Sequence, residues 1–233
     1  MKNSSLSKIL KLAHEGKYDT EQIEDIFTPL LENGMSLKVR EKGTQYISGY
    51  TELRAIHIVL SGRCRAVKYT FDGKTVVVDS TSGFQMLGLY ELLNGRGYYT
   101  STVETIDKCY FLEIPLSYIK DAIHNDIDVC HISIDYLAKL ADRSVSKNYI
   151  EMVNTSVQNF ILYLYNNCLG SSFPCRIEVD RKTMASELNV SMRSIYRYTN
   201  ELKRRGMISI LCGKILVSEE QFRLLEEASR KFL

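Results

Sequence analysis

The sequence lacks the long apolar runs that a membrane protein requires. No stretch of its 233 residues approaches the length of a membrane-spanning helix, and the polar first six residues do not contain the apolar core of a signal peptide. We therefore expect a cytoplasmic protein with no membrane partner.

Closely spaced metal ligands are also absent. The six cysteines include no Cys-x-x-Cys pair, and the four histidines form no cluster. Zinc and iron–sulfur sites are normally built on such pairs, so we predict no metal site. Thiols in a cytoplasmic protein are mostly buried or free, although Cys168 and Cys175 are close enough in sequence to leave a redox-sensing role open.

The motifs of catalysis are missing too. The sequence has no Ser–His–Asp set, no paired-carboxylate motif and no phosphate-binding loop, and the Gly-Arg-Gly at residues 95–97 is too short to count as one. We therefore expect no enzymatic activity, and no cofactor is evident.

Net charge is small but unevenly distributed. The chain carries +2 overall, whereas residues 181–205 include seven basic and two acidic side chains and so carry +5. The rest of the chain is therefore −3. One basic element in a near-neutral body is typical of a module that binds a polyanion, whereas a solvated helix face usually mixes the two signs more evenly.

That basic segment predicts two short helices around a tight turn, over residues 180–206. Asp180 and Ser191 are residue types that cap helix N-termini, and Asn189 tolerates the left-handed backbone of a tight turn. The positions that face inward at helical spacing are Met184, Ala185, Leu188, Ile195, Tyr198 and Leu202. The outward positions of the second helix are Met192, Arg193, Tyr196, Arg197 and Asn200. This pattern indicates a helix-turn-helix with a recognition helix.

The rest of the chain alternates between helical and β-rich regions. Residues 1–34 predict helices, and residues 35–114 predict short strands separated by glycines, with a hairpin turn at residues 71–74. Several short strands with regular turns indicate an antiparallel β domain. Helices follow, and two short strands after residue 206 predict a wing. We predict domains at residues 1–125, 126–154 and 155–233.

A long helix is predicted over residues 126–153, which contain neither Gly nor Pro. Its apolar side chains recur every three to four positions, as in a helix that packs on a partner. They are Val129, Cys130, Ile134, Leu137, Ala141, Val145, Ile150 and Val153. The stripe could rest on the β domain or pair with the same helix of a second subunit. A long helix leaving a β domain favours the second interpretation, a homodimer.

This order of parts resembles the cyclic-AMP receptor protein and fumarate–nitrate reduction regulator (Crp/Fnr) family. The resemblance lies in residues 53–84, 99–115 and 180–217. It implies an α+β fold: an N-terminal β-roll like that of cyclic-nucleotide-binding domains (a double-stranded antiparallel barrel), a long dimerisation helix and a C-terminal winged helix-turn-helix. It also implies a transcription regulator that binds an inverted-repeat operator as a homodimer. RNA polymerase is a further candidate partner.

The resemblance implies roles for individual residues in binding double-stranded DNA. Arg181, Ser191 and Lys214 match positions that contact phosphates, and Met192, Arg193 and Arg197 match positions that face base edges. The predicted DNA-binding residues are Arg181, Ser191, Met192, Arg193, Ser194, Tyr196, Arg197 and Lys214. The family often has arginine where Met192 stands, so we expect a different preferred operator.

The predicted effector pocket departs from the family pattern. Its residues are Gly83, Leu87, Gly88, Tyr99 and Thr100. Leu87-Gly88 and Tyr99-Thr100 occupy the places of the Gly-Glu and Arg-Ser pairs that hold a cyclic nucleotide. A buried phosphate without the arginine lacks its charge partner, so we expect that cyclic AMP does not bind in the usual way.

The sequence lacks the residues for one other sensing mode of the family and leaves a second mode open. The cysteines that hold the iron–sulfur cluster of the oxygen-sensing branch are missing, while haem ligation through His57 or Cys64 stays open. An interior filled by Met86, Leu89, Tyr98 or Tyr99 would favour ligand independence, and an open polar cavity would favour an effector. The alternative function is a ligand- or protein-binding module whose winged helix contacts protein, but the concentrated positive charge favours DNA.

Overall fold

The computed structural model describes residues 4–69 and 75–230. Contacts between residues divide the chain into two compact units, Met1–Ala141 and Asp142–Leu233. The division falls inside a long helix, whereas the predicted domains end at residues 125 and 154. Each unit has its own hydrophobic core.

The first unit contains two antiparallel sheets that share one core. Its elements are α1 (Ser5–Glu15), α2 (Ile23–Phe27), β1 (Ser36–Arg40), β2 (Gln45–Ile47), β3 (Ala55–Ser61), β4 (Arg63–Tyr69), β5 (Thr75–Ser82), β6 (Gln85–Leu87), α3 (Leu89–Leu93), β7 (Thr102–Thr105), β8 (Cys109–Pro115) and α4 (Leu116–Asn125). The strand orders are β1-β8-β3-β6 and β2-β7-β4-β5. The predicted β-roll is confirmed.

The strand β3 lies in the middle of the first core. The six residues before Ser61, the apolar run AIHIVL, are all buried. A strand can bury both of its faces only when each face is covered. Neighbouring strands β8 and β6 pair with its edges, and the helices α1 and α4 pack against it.

The predicted hairpin is formed by β4 and β5. Val67 pairs with Val77 and Tyr69 with Thr75 in an antiparallel register. The predicted turn at residues 71–74 lies outside the described residues. At the other end of β4, Gly62 has φ +91° and lies against the backbone that leads into β8.

The N-terminal helical region is interrupted. The hydroxyl of Ser4 caps α1 by accepting a hydrogen bond from the N–H of Ser7, and α1 ends at Gly16, whose φ of 62° cannot continue a right-handed helix. Short 3₁₀ turns flank α2 and bring the chain to β1. The sequence therefore predicts the helical content of this region but not its breaks.

The long helix α5 (Ile127–Val153) has two apolar faces. Val129 and Tyr136 are buried in the first core, so one face rests on the β-roll. On another face Ile134 is 59% exposed and Val145 is 68% exposed. The predicted stripe members Ile150 and Val153 have side chains outside the described residues. Packing on the β domain thus accounts for one face and leaves the other uncovered in the single chain.

The second unit is a winged helix-turn-helix. Its elements are α6 (Ser156–Cys168), β9 (Cys175–Ile177), α7 (Arg181–Glu187), α8 (Met192–Arg204), β10 (Ser209–Leu211), β11 (Lys214–Val217) and α9 (Glu219–Ser229). The strands form one sheet in the order β10-β11-β9. Its core contains Phe160, Ile195 and Leu202, and α6 packs along α9. The predicted α+β class, with a long helix between a β-roll and a winged helix-turn-helix, is confirmed.

Replacing Gly62 with alanine should destabilise the β-roll strongly. A Cβ there would collide with the carbonyl oxygen of Lys108 and lie 2.6 Å from the Sγ of Cys109. Left-handed backbone costs a non-glycine residue roughly 1–2 kcal/mol, and overpacking adds roughly 1–3 kcal/mol. Urea unfolding of the purified protein measures the loss.

The matched control is Gly95→Ala. Gly95 also has a positive φ, of 67°, but a Cβ there would have no atom within 4 Å. This variant should therefore lose only the backbone contribution, about 1–2 kcal/mol. Equal losses of stability in the two variants would show that the close approach of Gly62 to the start of β8 does not contribute to the cost.

Candidate nucleic-acid interface and predicted effector pocket

The helix-turn-helix is fixed by two side-chain caps and one left-handed residue. The carboxylate of Asp180 accepts a hydrogen bond of 2.8 Å from the N–H of Thr183, and the hydroxyl of Ser191 accepts one of 3.1 Å from the N–H of Ser194. Asn189, in the turn, has φ 52°. These contacts set where α7 and α8 begin and how the chain turns between them.

Burial of one face of α8 turns its other face outward. Ile195, Tyr198 and Leu202 are buried in the second core, whereas Arg193 and Arg197 are exposed. Met192 is 38% exposed and Tyr196 is 54% exposed on the same outer side. The predicted recognition surface is therefore formed by the side chains that the amphipathic pattern leaves outside.

The outer face of α8 borders an open groove of about 500 Å³. Its lining residues are Ser191, Arg193, Ser194, Arg197, Asn200 and Arg204. Four of these are predicted DNA-binding residues, and Asn200 and Arg204 extend the row by two further turns. Asn200 was predicted to face outward but not to bind DNA. The helical spacing of Asn200 and Arg204 from Arg193 and Arg197 is the signal that would have added both to the DNA-binding set.

Arg197 is held beside an aromatic ring. Its guanidinium carbon lies 5.2 Å from the ring centroid of Tyr198, and its Nη2 lies 3.4 Å from the hydroxyl oxygen of that residue. Since Tyr198 is itself buried in the core, this contact limits the directions in which Arg197 can extend.

The two predicted phosphate-contacting side chains outside α8 already have partners. Arg181 is half-buried, burial lowers the pKa of its guanidinium, and Nη1 lies 3.6 Å from the Sδ of Met184. Lys214, at the start of β11, donates a hydrogen bond of 2.8 Å to the carbonyl oxygen of Glu178. A phosphate would therefore compete with Glu178 for Lys214.

The wing is the hairpin of β10 and β11. Cys212 and Gly213 form its tip, with φ values of 48° and 76°, as a tight turn between twisted antiparallel strands requires. Leu211 and Cys212 are exposed there. The predicted wing is thus present, with Lys214 just after its turn.

The predicted effector residue Tyr99 belongs to a buried hydrogen-bond chain. Its hydroxyl donates to the carbonyl oxygen of Ala55 at 2.7 Å and lies 3.0 Å from Nε2 of His57. Because that hydroxyl already donates, His57 must donate from Nε2, and Nδ1 then accepts from the hydroxyl of Tyr46 at 2.8 Å. Haem ligation by His57 would require breaking this chain.

Burial keeps His57 neutral. It lowers the pKa of His57 to about 4, with a smaller contribution from the charge of Lys38. The carboxylate of Glu113 lies 3.9 Å from Nδ1, but with a neutral imidazole this contact is not an ion pair at neutral pH. Burial also raises the pKa of Tyr99 to about 12.

The hydrogen-bond donors of the predicted effector residue Thr100 are already engaged with a carboxylate of the same chain. Glu91, a buried side chain of α3, accepts hydrogen bonds from the N–H of Thr100 at 3.0 Å and from its hydroxyl at 2.6 Å. Sequence reasoning missed Glu91, since nothing in a short helix nine positions before Thr100 indicates this pairing.

The other predicted effector residues differ in their surroundings. Gly88 has φ 92°, and a Cβ there would lie 3.1 Å from side-chain atoms of Leu53, Ile56 and Tyr99. Leu87 is partly buried in β6, and Gly83 is exposed at the end of β5. Met86, Leu89 and Tyr99 are buried, whereas Tyr98 is exposed.

A separate open hollow of about 230 Å³ lies at one end of the sheet that contains β4 and β7. Its lining residues are Gln45, Ser48, Gly49, Tyr50, Val67, Lys68, Tyr69, Thr100, Ser101 and Thr102. Thr100 is the one predicted effector residue among them.

None of the helices in the described part of the chain is both long and apolar enough to span a bilayer.

Comparison with known proteins identifies the β-roll. Residues 40–126 match the family model of the cyclic nucleotide-binding domain. No curated protein matches the chain.

Several solved structures share the fold over most of the chain. The c-di-GMP responsive global regulator CLP of Xanthomonas campestris is 15% identical, with a TM-score of 0.68, covering 86% of this chain and 99% of that one. A CRP-family transcriptional regulator from Thermus thermophilus is 15% identical, with a TM-score of 0.68, covering 83% and 96%. A CRP/FNR-family regulator from the same organism is 14% identical, with a TM-score of 0.66, covering 84% and 98%. The predicted resemblance to the Crp/Fnr family is confirmed in the fold.

The stability of the β-roll should decrease as the pH falls from 6.5 towards 4. In this range the unfolded chain binds a proton at His57 that the folded chain excludes, since burial holds the folded pKa at about 4. Over the whole range the free energy of unfolding should fall by roughly 3 kcal/mol. Urea unfolding at a series of pH values measures it.

His57→Gln keeps a donor and an acceptor and should lose most of this pH dependence. His131→Gln, which alters an exposed histidine of α5, is the matched control and should retain it. The same slope in both variants would assign the acid sensitivity to another group.

Proposed function

Since the chain contains a cyclic nucleotide-binding domain and has the fold of the Crp/Fnr transcriptional regulators, we propose that it is a sequence-specific DNA-binding transcription regulator. The outer face of α8 is the observation that carries this proposal. Arg193, Arg197 and Asn200 line one groove on it. In the major groove, arginine pairs with guanine through two hydrogen bonds and asparagine pairs with adenine in the same way.

Contacts to the DNA backbone would position α8. Ser191 and the N-terminus of α8 offer N–H groups to a phosphate. Arg181 and Lys214 would add positive charge from α7 and from the wing. Lys214 would exchange its contact with Glu178 for a phosphate, so the contact between the wing and DNA would form only on binding.

The regulator acts as a homodimer in this proposal, and its operator is an inverted repeat. The support is the exposed apolar face of α5, which includes Ile134 and Val145. Pairing of this face with the same face of a second copy would remove it from water. Two copies of α8 related by the dimer axis would then enter successive major grooves.

The β-roll does not bind cyclic AMP in the usual way in this proposal. Tyr99 stands in the place of the phosphate-binding arginine and is engaged with Ala55 and His57. The donors of Thr100 are engaged with Glu91. A cyclic phosphate would have to displace a carboxylate without gaining a guanidinium, which is unfavourable.

Replacing Arg197 with alanine should weaken operator binding by about 1–3 kcal/mol and remove the preference for one base in each half-site. The operator is first selected from a random DNA library with the wild-type protein. Gel-shift titration and sequencing of the DNA retained by the variant then give the affinity and the preference.

The matched control is Arg223→Ala, which removes the same charge from α9, where Arg223 pairs with Glu219 at 2.7 Å. It should change affinity little and preference not at all. If wild type selects no sequence, or if both variants lose affinity equally, α8 does not determine sequence specificity.

Replacing Ile134 with glutamate should dissociate the dimer. A charge buried without a partner costs several kcal/mol, so dimerisation should weaken by at least about 100-fold. Sedimentation velocity at several concentrations measures this. Ser146→Glu adds the same charge at an exposed position of α5 that lies about 100° around the helix from Val145, and this control should stay dimeric. A wild-type protein that is monomeric throughout would contradict the dimer proposal directly.

A further inference from the structure

One acidic side chain lies between two cations at the edge of the candidate nucleic-acid interface. Glu178, between β9 and α7, is exposed. One oxygen of its carboxylate lies 3.1 Å from Nε of Arg176, and the other lies 3.7 Å from Nζ of Lys214. The same Nζ donates a hydrogen bond of 2.8 Å to the carbonyl oxygen of Glu178. Lys214, a predicted phosphate-contacting residue, is therefore held by both the backbone and the side chain of Glu178.

The register of the wing sheet brings Glu178 and Lys214 together. In the antiparallel pair of β9 and β11, Ile177 lies opposite Ile215, and both are buried in the second core. Glu178 follows Ile177 and Lys214 precedes Ile215, so the same register places them opposite each other. Because successive side chains of a strand point to opposite faces, burial of the isoleucine pair turns the charged pair outward. The contact is therefore built into the fold, as a cross-strand pair of opposite charges.

The carboxylate makes Glu178 a competitor of a phosphate for Lys214. A neutral carbonyl oxygen attracts an ammonium less strongly than a charged phosphate does. The carboxylate adds an opposite charge beside the ammonium, and this charge must be given up when a phosphate takes its place. Asp180, a second carboxylate near α7, instead accepts hydrogen bonds from the N–H and the hydroxyl of Thr183. Removing the charge of Glu178 would leave that helix cap intact.

We propose that the carboxylate of Glu178 restrains Lys214 in the free protein and so lowers the affinity of the winged helix for DNA of any sequence. This inference rests on the proposed function and adds a residue that limits binding to those that make it. Contacts with phosphates position a protein on the duplex but carry no sequence information. The restraint therefore acts on affinity, whereas the outer face of α8 determines sequence preference.

Glu178→Gln should tighten DNA binding, because it removes the charge and keeps the size of the side chain and the carbonyl contact with Lys214. An exposed pair of opposite charges contributes little, so we expect affinity to rise about 2- to 5-fold. The rise should be similar for the selected operator and for a scrambled duplex of the same length. Fluorescence anisotropy titration of the full-length protein measures both affinities. Unchanged or weaker binding would overturn the proposal.

The matched control is Glu226→Gln, which removes the same charge from α9, where Glu226 pairs with Arg230 at 3.0 Å. It should leave both affinities unchanged. A gain equal to that of Glu178→Gln would assign the effect to the net charge of the protein, and the restraint on Lys214 would then be wrong.

A double-mutant cycle with Lys214→Ala shows whether Glu178 acts through Lys214. Glu178→Gln should raise affinity in the wild-type background and should have a clearly smaller effect when residue 214 is alanine, because no ammonium is left to release. An equal gain in both backgrounds would mean that the carboxylate acts through Arg176 or repels DNA directly, which contradicts the proposal.

The proposed function and this inference fail in different ways. If the wild-type protein selects no operator, sequence-specific regulation fails, while the same cycle measured on an unselected duplex still decides the role of Glu178. If the protein selects an operator and the cycle shows no coupling between Glu178 and Lys214, the proposed function stands and the restraint does not.

Discussion

The candidate interface depends on the burial of one face of α8. Ile195, Tyr198 and Leu202 fill the second core, and burying side chains of this size stabilises the fold by roughly 1.5–3 kcal/mol each. Rotating the helix to hide Arg193 or Arg197 would lose that free energy and bury a charge as well. The core therefore fixes which side chains face outward, and the Ser191 cap fixes where the row begins. The set of side chains on the outer surface of α8 therefore follows from apolar packing on its opposite side.

The β-roll shows the opposite use of polar groups. Here polar side chains are turned inward and satisfy one another: Tyr46 donates to His57, His57 to Tyr99, and Tyr99 to the carbonyl of Ala55. A buried polar network is stable only when each member has its partner. Removing any member leaves a buried donor or acceptor unpaired, at a cost of about 1–3 kcal/mol. The tyrosine in the arginine place is thus part of the framework of the domain.

Sequence patterns predicted those features that depend on local chemistry. The caps Asp180 and Ser191, the left-handed Asn189 and the buried stripe of α8 are confirmed, because each is decided by residues within one or two turns. The β4–β5 hairpin and the β-roll followed from alternating apolar residues and turns. The pairing of Glu91 with Thr100 and the tautomer of His57 could not be predicted, because they join positions that only the folded chain brings together. The apolar residues of α5 were predicted to form one stripe, but in the structure they lie on two faces. Helical spacing alone does not show which apolar residues a neighbouring sheet covers.

The hydrogen bonds of the β-roll bear on how a ligand could bind at the predicted effector residues. A ligand shifts an equilibrium only when it binds one state better than another. The hydroxyl of Tyr99 is bonded to Ala55 and His57. Thr100 is bonded to Glu91. A ligand at these residues would have to replace those bonds, because each buried polar group left without a partner costs about 1–3 kcal/mol. Only a ligand that supplies matching donors and acceptors would therefore bind there.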